Sequence, residues 1–92
     1  MNRRVLIITY LAPFSASKLE TFLQNYPDAK RALNNTWLVY THDTASVFYN
    51  KLAVYLNKED KVLVGTLNTG YEGWLSREVW DWLRPKLSPT TL

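Results

Sequence analysis

Three of the four tryptophans in this 92-residue chain fall within nine positions, residues 74–82. An indole side chain buries a large apolar area, and a chain this short needs large anchors to hold a core together. The cluster therefore predicts a C-terminal helix that is docked on the rest of the domain. Pro85 and Pro89 are expected to end this helix, because proline does not continue a helix easily.

The spacing inside this helix limits which indoles can be buried. Residues two apart on a helix point about 200° apart, so Trp80 and Trp82 cannot both pack inward on one narrow face. We expect Trp80 to face the sheet together with Val79 and Leu83. Trp82 is then expected to cover an edge of the sheet or a second subunit.

Three segments are predicted to be strands with apolar residues on both faces, because apolar residues occupy consecutive positions in each. These segments are Arg4–Leu11, Thr36–Thr41 and Lys61–Leu67. A weaker strand over Ala29–Leu33 precedes Asn34-Asn35, a pair that suits a tight hairpin.

Two helices are predicted between these strands. The first begins at Ser17, with Glu20 as its capping-box partner, and stops at Pro27. The second follows Thr44, whose side chain is a plausible N-cap. Its predicted buried stripe consists of Phe48, Leu52, Tyr55 and Leu56.

The element order β-α-β-β-α-β-α predicts an α+β fold of ferredoxin-like type, with an antiparallel sheet and an added C-terminal tryptophan-rich helix. We expect a single domain over residues 1–92, with 88–92 as a short tail. Two helices cover only one face of the sheet, so the other face needs the C-terminal helix, a second subunit, or both. We therefore predict a homodimer, with Leu38 and Trp82 at the interface.

Composition excludes several classes of function. Eleven basic and eight acidic residues give a net charge of +3, a mild bias that falls short of a dedicated nucleic-acid binder. The chain has no cysteine, which excludes disulfides, a thiol nucleophile and thiolate metal sites, and fits a cytoplasmic protein. No segment is long and apolar enough to span a membrane, so no membrane partner is expected.

No catalytic constellation stands out. The single histidine, His42, lies beside Asp43 at a strand–helix junction, where an exposed histidine is the ordinary interpretation. The glycine-containing loop over residues 65–73 lacks the Lys-Ser/Thr of a phosphate-binding loop. We therefore predict no catalytic residue, no cofactor and no metal site.

Nucleic-acid contacts are the most specific hypothesis that the residues allow. Tyr10 and Tyr40 share the strand positions that RNA-recognition domains of this topology use to stack bases, although their apolar neighbours favour a covered face. Basic residues near one end of the sheet could form a phosphate-contacting ridge. The candidate contacts are Arg3, Arg4, Tyr10, Lys30, Arg31 and Tyr40.

Three stretches resemble a small bacterial and phage family that is often labelled SinR-like: residues 36–39, residues 52–64 and the string Gly73 to Leu83. That family is similar in fold to the small subunit of the CRISPR-associated integrase complex and to virulence-associated protein D. The resemblance runs from about Arg4 to Leu87. It implies a ferredoxin-like subunit that pairs into a dimer.

In the nuclease relatives, an aspartate that follows the aromatic residue at the end of strand one holds a divalent metal, which activates water for phosphodiester cleavage. Here Tyr10 is followed by Leu11, and a leucine side chain has no oxygen with which to ligate Mg²⁺. The presence of Leu11 in place of this aspartate favours a non-catalytic binding or adaptor subunit that recognises nucleic acid or a protein partner.

Two alternatives stay open. One is a divalent-metal-dependent endoribonuclease that uses a displaced carboxylate, for which the candidates are Asp28, Asp43 and Glu72. The other is a phage-encoded inhibitor, or a toxin–antitoxin partner, that binds a host defence protein.

Overall fold

The computed structural model describes residues 2–68 and 70–87 of the chain. The four strands have the predicted bounds; three of them are runs of apolar and β-branched residues between turn residues, and the fourth, over residues 29–33, is the edge strand with the weaker pattern. In chain order the elements are β1 (Arg4–Leu11), α1 (Ala16–Gln24), β2 (Ala29–Leu33), β3 (Thr36–Thr41), α2 (Ala45–Ala53), β4 (Lys61–Leu67) and α3 (Arg77–Leu87).

The strands form one antiparallel sheet in the order β2-β3-β1-β4. The two central strands are β1 and β3, and β2 and β4 are the edges. Together with the crossover helices α1 and α2, this order is that of a ferredoxin-like domain. The predicted α+β ferredoxin-like fold with an added C-terminal helix is confirmed.

The first core lies between the sheet and the pair α1 and α2. Leu6 and Ile8 of β1 point to this face, and Trp37 and Val39 of β3 join them. Full burial of one such aliphatic or aromatic side chain is worth about 1.5–3 kcal/mol. The helices contribute Leu19, Leu23, Phe48 and Leu52.

The second core lies on the opposite face of the sheet, beneath α3. Val79 and Leu83 of the helix are buried against Val5 of β1 and Leu38 of β3. This packing explains why β1 and β3 are apolar on both faces, since each face carries its own helical layer. Because Leu38 is covered by α3 of its own chain, the prediction that it lies at a subunit interface is wrong.

The two helical tryptophans flank this buried stripe. On a helical wheel Trp80 and Trp82 each lie about 80° from the mean direction of Val79 and Leu83, on opposite sides. Both indoles are half-buried and pack against this core, so the expectation that Trp80 packs on the sheet together with Val79 and Leu83 is confirmed. The expectation that Trp82 covers an edge of the sheet is confirmed as well. Trp82 reaches the β2 edge, where its indole N–H donates to Oδ1 of Asp28 at 2.8 Å.

The helix starts and ends differ from the predicted ones in two places. Helix α1 begins at Ala16, and Glu20 bonds to Tyr10 and Arg31 instead of capping the helix, so the predicted capping box is wrong. Helix α3 continues past Pro85 to Leu87. Pro89 and the predicted tail 88–92 lie outside the described residues.

The predicted N-cap of α2 is confirmed, since the Thr44 hydroxyl accepts a hydrogen bond from the backbone N–H of Val47. Phe48 and Leu52 are buried as predicted, whereas Tyr55 is exposed. None of the helices in residues 2–68 and 70–87 combines the length and the apolarity that a bilayer crossing requires.

Candidate functional site

The two tyrosines that were expected to share a stacking surface lie on opposite faces of the sheet. Tyr10 follows Leu6 and Ile8 toward α1 and α2 and is only 6% exposed. Tyr40 pairs with Val5, which faces α3. The prediction of one shared face is therefore wrong, and burial leaves the Tyr10 ring unavailable for stacking on a base.

Tyr10 instead belongs to a buried hydrogen-bond network. The Trp37 indole N–H donates to Tyr10 Oη at 3.2 Å, and Tyr10 Oη donates to Oε2 of Glu20 at 3.1 Å. An Arg31 guanidinium nitrogen donates to the same Glu20 oxygen at 2.9 Å. Burial raises the pKa of the Tyr10 hydroxyl above its usual value, so it stays a donor.

The four basic residues do not form one ridge. Lys30 and Arg31 are neighbours on β2 and point to opposite faces, because side chains alternate along a strand. Lys30 pairs with Glu78 of α3 at 3.2 Å, and Arg31 pairs with Glu20 of α1 at 2.9 Å. Both cations are therefore already engaged within the domain.

Arg3 and Arg4 converge on the β3–α2 junction instead. Arg4 Nη1 donates to the carbonyl oxygen of His42 at 2.7 Å. Arg3 Nε donates to Nε2 of His42 at 3.4 Å, and its guanidinium lies 5.6 Å from the centre of the Tyr40 ring. Of the six predicted contacts, Arg3, Arg4 and Tyr40 are the three that the fold brings together.

A cleft of about 400 Å³ opens beside these three residues. It lies between the turn that follows α1 and the junction of β3 with α2. Its walls include Arg3, Tyr26, Tyr40, His42, Asp43 and Lys51. We refer to it below as the Tyr40 cleft.

Asp43 is held firmly in this cleft by three contacts. Its Oδ2 accepts from Tyr26 Oη at 2.9 Å and from Lys51 Nζ at 3.1 Å, and its backbone N–H donates to the Thr41 hydroxyl at 3.2 Å. Burial, and then the hydrogen bond to Asp43, raise the pKa of Tyr26 well above its ordinary value. Tyr26 therefore remains a neutral donor.

Asp28 is paired in the same way on the other side of the cleft. It accepts from the indole N–H of Trp82, and Lys86 Nζ lies 3.6 Å from its Oδ2. The Lys86 ammonium also lies 4.2 Å from the centre of the Trp82 ring and 5.5 Å from that of Tyr40. An aromatic donor and a lysine thus engage each of the two carboxylates.

The charge around the Tyr40 cleft is positive. Two cations and two carboxylates line the cleft, and two further cations at its rim bond to the lining residues His42 and Asp28. The four cations are Arg3, Arg4, Lys51 and Lys86. Such an excess of fixed positive charge favours an anionic ligand, and the cleft volume is in the range of small-ligand sites.

Leu11 and the three carboxylates of the endoribonuclease alternative can also be located. Leu11 ends β1 with its side chain 69% exposed. Asp28 and Asp43 line the Tyr40 cleft, while Glu72 lines a separate pocket beneath α3. Within residues 2–68 and 70–87, no group of three His, Asp or Glu side chains is placed to hold a metal ion.

Sequence reasoning missed most of this cleft, because its walls come from separate parts of the chain. Lys51 was not singled out, although it is the one charged residue of α2 and lies seven positions after Thr44, on the same side of the helix as the N-cap. Lys86 was not singled out, although its position four residues after Trp82 places the two side chains together.

No protein-family model matches the chain, and no curated protein and no solved structure matches it either. The fold and the cleft define a ferredoxin-like α+β domain with a C-terminal helix and a positively charged cleft at the β3–α2 junction. The resemblance to the SinR-like family stays a prediction.

Proposed function

We propose that this chain is a non-catalytic binding subunit that recognises nucleic acid and acts as a homodimer in the cytoplasm. The observation that supports the binding role is the arrangement around Tyr40, where Arg3 and Lys86 lie over one aromatic ring at the rim of a positively charged cleft. Surfaces that bind single-stranded nucleic acid typically combine cations, which contact phosphates, with aromatic rings, which stack on bases.

The proposal assigns a role to each part of the Tyr40 cleft. Arg3 is exposed at the mouth of the cleft. There a phosphate group could replace His42 Nε2, which lies 3.4 Å away, as the partner of the Arg3 guanidinium. Asp43 and Asp28 hold Lys51 and Lys86 in place, so these cations keep a defined position without a ligand. Such preorganisation lowers the entropy cost of binding.

The test is fluorescence polarisation with labelled single-stranded RNA, single-stranded DNA and duplex DNA at low and moderate salt. Arg3→Gln is compared with Lys58→Gln, which removes the same charge from the turn after α2, at the far end of that helix. We expect Arg3→Gln to weaken binding and to make the dependence of log Kd on log salt shallower by about 0.7 for single strands or about 0.9 for duplex DNA, the values for one phosphate contact. Lys58→Gln should leave both unchanged.

The same assay separates the alternatives when Mn²⁺ is present and the product size is checked. Intact probe with salt-sensitive binding supports the proposal. Cleavage of the probe would support the endoribonuclease alternative. If no nucleic acid binds at either salt concentration, the protein-binding alternative, in which the chain is a phage-encoded inhibitor or a toxin–antitoxin partner, becomes the better hypothesis.

The homodimer part of the proposal has its own support. Helix α3 covers only one end of its sheet face, and at the other end Leu11 and Leu63 remain largely exposed. Leu33, Thr36, Thr9 and Leu63 form one row across the four strands, with a leucine at each edge. The exposed apolar residues of this end are therefore the leucines Leu33, Leu63 and Leu11, while Thr9 and Thr36 between them are at least partly buried. Exposed leucines beside the unpaired edge strand β4 are a typical site for association.

Sedimentation equilibrium tests this association. We expect a mass near twice 10.7 kDa for the wild-type chain and a monomer for Leu63→Lys, since a charge placed in an apolar interface opposes docking. Lys58→Gln again serves as the control that should not change the mass. A wild-type chain that remains monomeric at high concentration would contradict the dimer.

A further inference from the structure

Trp74 is the most exposed large apolar residue in the described part of the chain, with 98% of its side chain accessible. The prediction that it belongs to the docked helix is wrong, because α3 begins three residues later, at Arg77. A second cleft, of about 430 Å³, lies between Trp74 and the flank of α3 that carries Trp80 and Arg84. We refer to it as the Trp74 cleft.

One wall of the Trp74 cleft is held in place by ring contacts. The Tyr71 ring stacks on Trp80 with 6.1 Å between ring centres and 24° between planes. The Arg84 guanidinium lies over the Trp80 ring at 5.0 Å. Trp80 is therefore fixed by its own domain, whereas both faces of the Trp74 indole are open to a ligand.

The polar wall of the cleft carries a pattern of charge. Arg77, Asp81 and Arg84 are spaced four and three residues apart on α3, so they form one stripe along its exposed side. The stripe has two cations and one carboxylate, and the carboxylate lies between the cations. A ligand with regularly spaced negative charges and flat apolar groups complements this surface.

We infer that the Trp74 cleft binds single-stranded nucleic acid, with an unpaired base stacked on the Trp74 indole and the backbone phosphates near Arg77 and Arg84. Base–aromatic stacking is tolerant of sequence, because every base has a π-face. A duplex hides those faces inside its own stack. The inference rests on the proposed function and deepens it by naming the strand form that is recognised.

The test compares an oligothymidylate single strand with the matching thymidylate–adenylate duplex by fluorescence polarisation. Trp74→Ala should weaken binding of the single strand by about 5- to 150-fold, the range that corresponds to the loss of one stacked base. Binding of the duplex should change by less than about twofold. Trp74→Phe, which keeps a smaller aromatic face, should retain most of the affinity for the single strand.

Phe14→Ala is the matched control, because Phe14 is also an exposed aromatic residue, 70% accessible, and does not line the Trp74 cleft. It should leave both affinities unchanged. Circular dichroism of each variant checks the fold, which an exposed side chain should not affect.

Asp81→Asn gives an independent test of the sign of the ligand charge. Removing the carboxylate between Arg77 and Arg84 should tighten binding of the single strand by about 2- to 5-fold, as expected for one exposed charge contact. Weaker binding by Asp81→Asn would overturn the inference, since it would indicate a cationic ligand group at this position.

The outcomes separate this inference from the proposed function. If the wild-type chain binds single strands and Trp74→Ala binds them equally well, the stacking surface is refuted while the binding function stands. An equal loss for single strand and duplex would also refute stacking. If the wild-type chain binds neither, the proposed function itself fails. Binding to anionic lipid vesicles that depends on Trp74, without binding to oligonucleotides, would show that the cleft faces a membrane and overturn the inference.

Discussion

Removing one hydroxyl group tests whether the buried network around Tyr10 holds the first core together. Tyr10→Phe keeps the ring and its packing against the helices but removes the oxygen that accepts the hydrogen bond of the Trp37 indole N–H. Trp37 is 5% exposed, so water cannot replace the lost acceptor without a rearrangement of the core. Glu20 keeps the hydrogen bond from Arg31 and loses the one from Tyr10.

The magnitude follows from these contacts. A buried donor that is left without a partner costs about 1–3 kcal/mol. The Arg31–Glu20 pair is partly exposed and contributes less than about 1 kcal/mol, so its adjustment adds little. We therefore expect Tyr10→Phe to lower the free energy of unfolding by about 1–3 kcal/mol, which corresponds to a decrease in Tm of about 4–20 °C for a domain of this size.

Urea unfolding followed by far-ultraviolet circular dichroism measures the change without relying on Trp37 emission. Tyr49→Phe is the matched control, since it removes the same hydroxyl from a side chain that is 42% exposed, and it should change the stability by less than about 0.5 kcal/mol. If Tyr10→Phe is no more destabilising than Tyr49→Phe, the network does not contribute to stability and the reasoning is refuted.

Three further predictions concern the second core and two titrating groups. Leu83→Ala should lower the free energy of unfolding, measured in urea, by about 2–5 kcal/mol. Leu63→Ala, at the uncovered end of the sheet face that α3 packs on, should lower it far less. Equal losses would contradict the role of α3 as a core layer. Because the pKa of Tyr26 is raised, its contribution to stability is complete below the ordinary tyrosine pKa near 10 and is lost as the pH rises above it. The free energy of unfolding of Tyr26→Phe should therefore fall less steeply with pH in the alkaline range than that of wild type. Hydrogen bonds from Ser15 and the Asn57 backbone lower the pKa of Asp60, so its carboxylate stabilises the fold above about pH 4 and this stabilisation is lost on further acidification. The free energies of unfolding of Asp60→Asn and wild type should therefore differ least in acid. Profiles of stability against pH that run parallel for the two proteins would contradict this prediction.

The strands and the core faces of the two crossover helices could be predicted because their patterns are local. The run Val5-Leu6-Ile7-Ile8 is apolar on both sides of a strand wherever that strand lies. Its two-sided pattern also predicted that a further layer must cover the second face, and α3 is that layer. Local periodicity therefore determined both the sheet and the number of layers.

The pairing of Tyr10 with Tyr40 failed because it depends on register. In the observed register, odd positions of β1 pair with even positions of β3, so even-numbered tyrosines on these two strands face opposite sides. A shift of one residue would have placed them together. Nothing within either strand determines that shift; the hairpin and the packing of both faces do.

The Tyr40 cleft could not be predicted for a related reason. Arg3, Tyr26 and Lys51 belong to three separate elements, and only the tertiary fold brings them together. Arg3 was a predicted contact, whereas Tyr26 and Lys51 looked like ordinary helix residues in their local context. Trp74 was wrongly assigned to the docked helix, because its neighbours in sequence include the tryptophans that do pack.

The two flanks of α3 explain how one short helix could both complete the fold and offer a binding surface. On each flank a cation lies over an indole four residues before it, Lys86 over Trp82 and Arg84 over Trp80. On the first flank both Trp82 and Lys86 bond to Asp28 at the β2 edge, so the main role of this pair is to hold the helix on the sheet.

On the second flank the Trp80 pair is braced by Tyr71 and faces the open indole of Trp74. Deleting α3 would therefore remove the second core and the Trp74 cleft at once, and a loss of binding would reveal nothing about the ligand. Single substitutions at exposed positions leave the buried pair Val79 and Leu83 intact. For this reason Trp74 and Asp81, and not the helix as a whole, are the positions at which binding can be separated from folding.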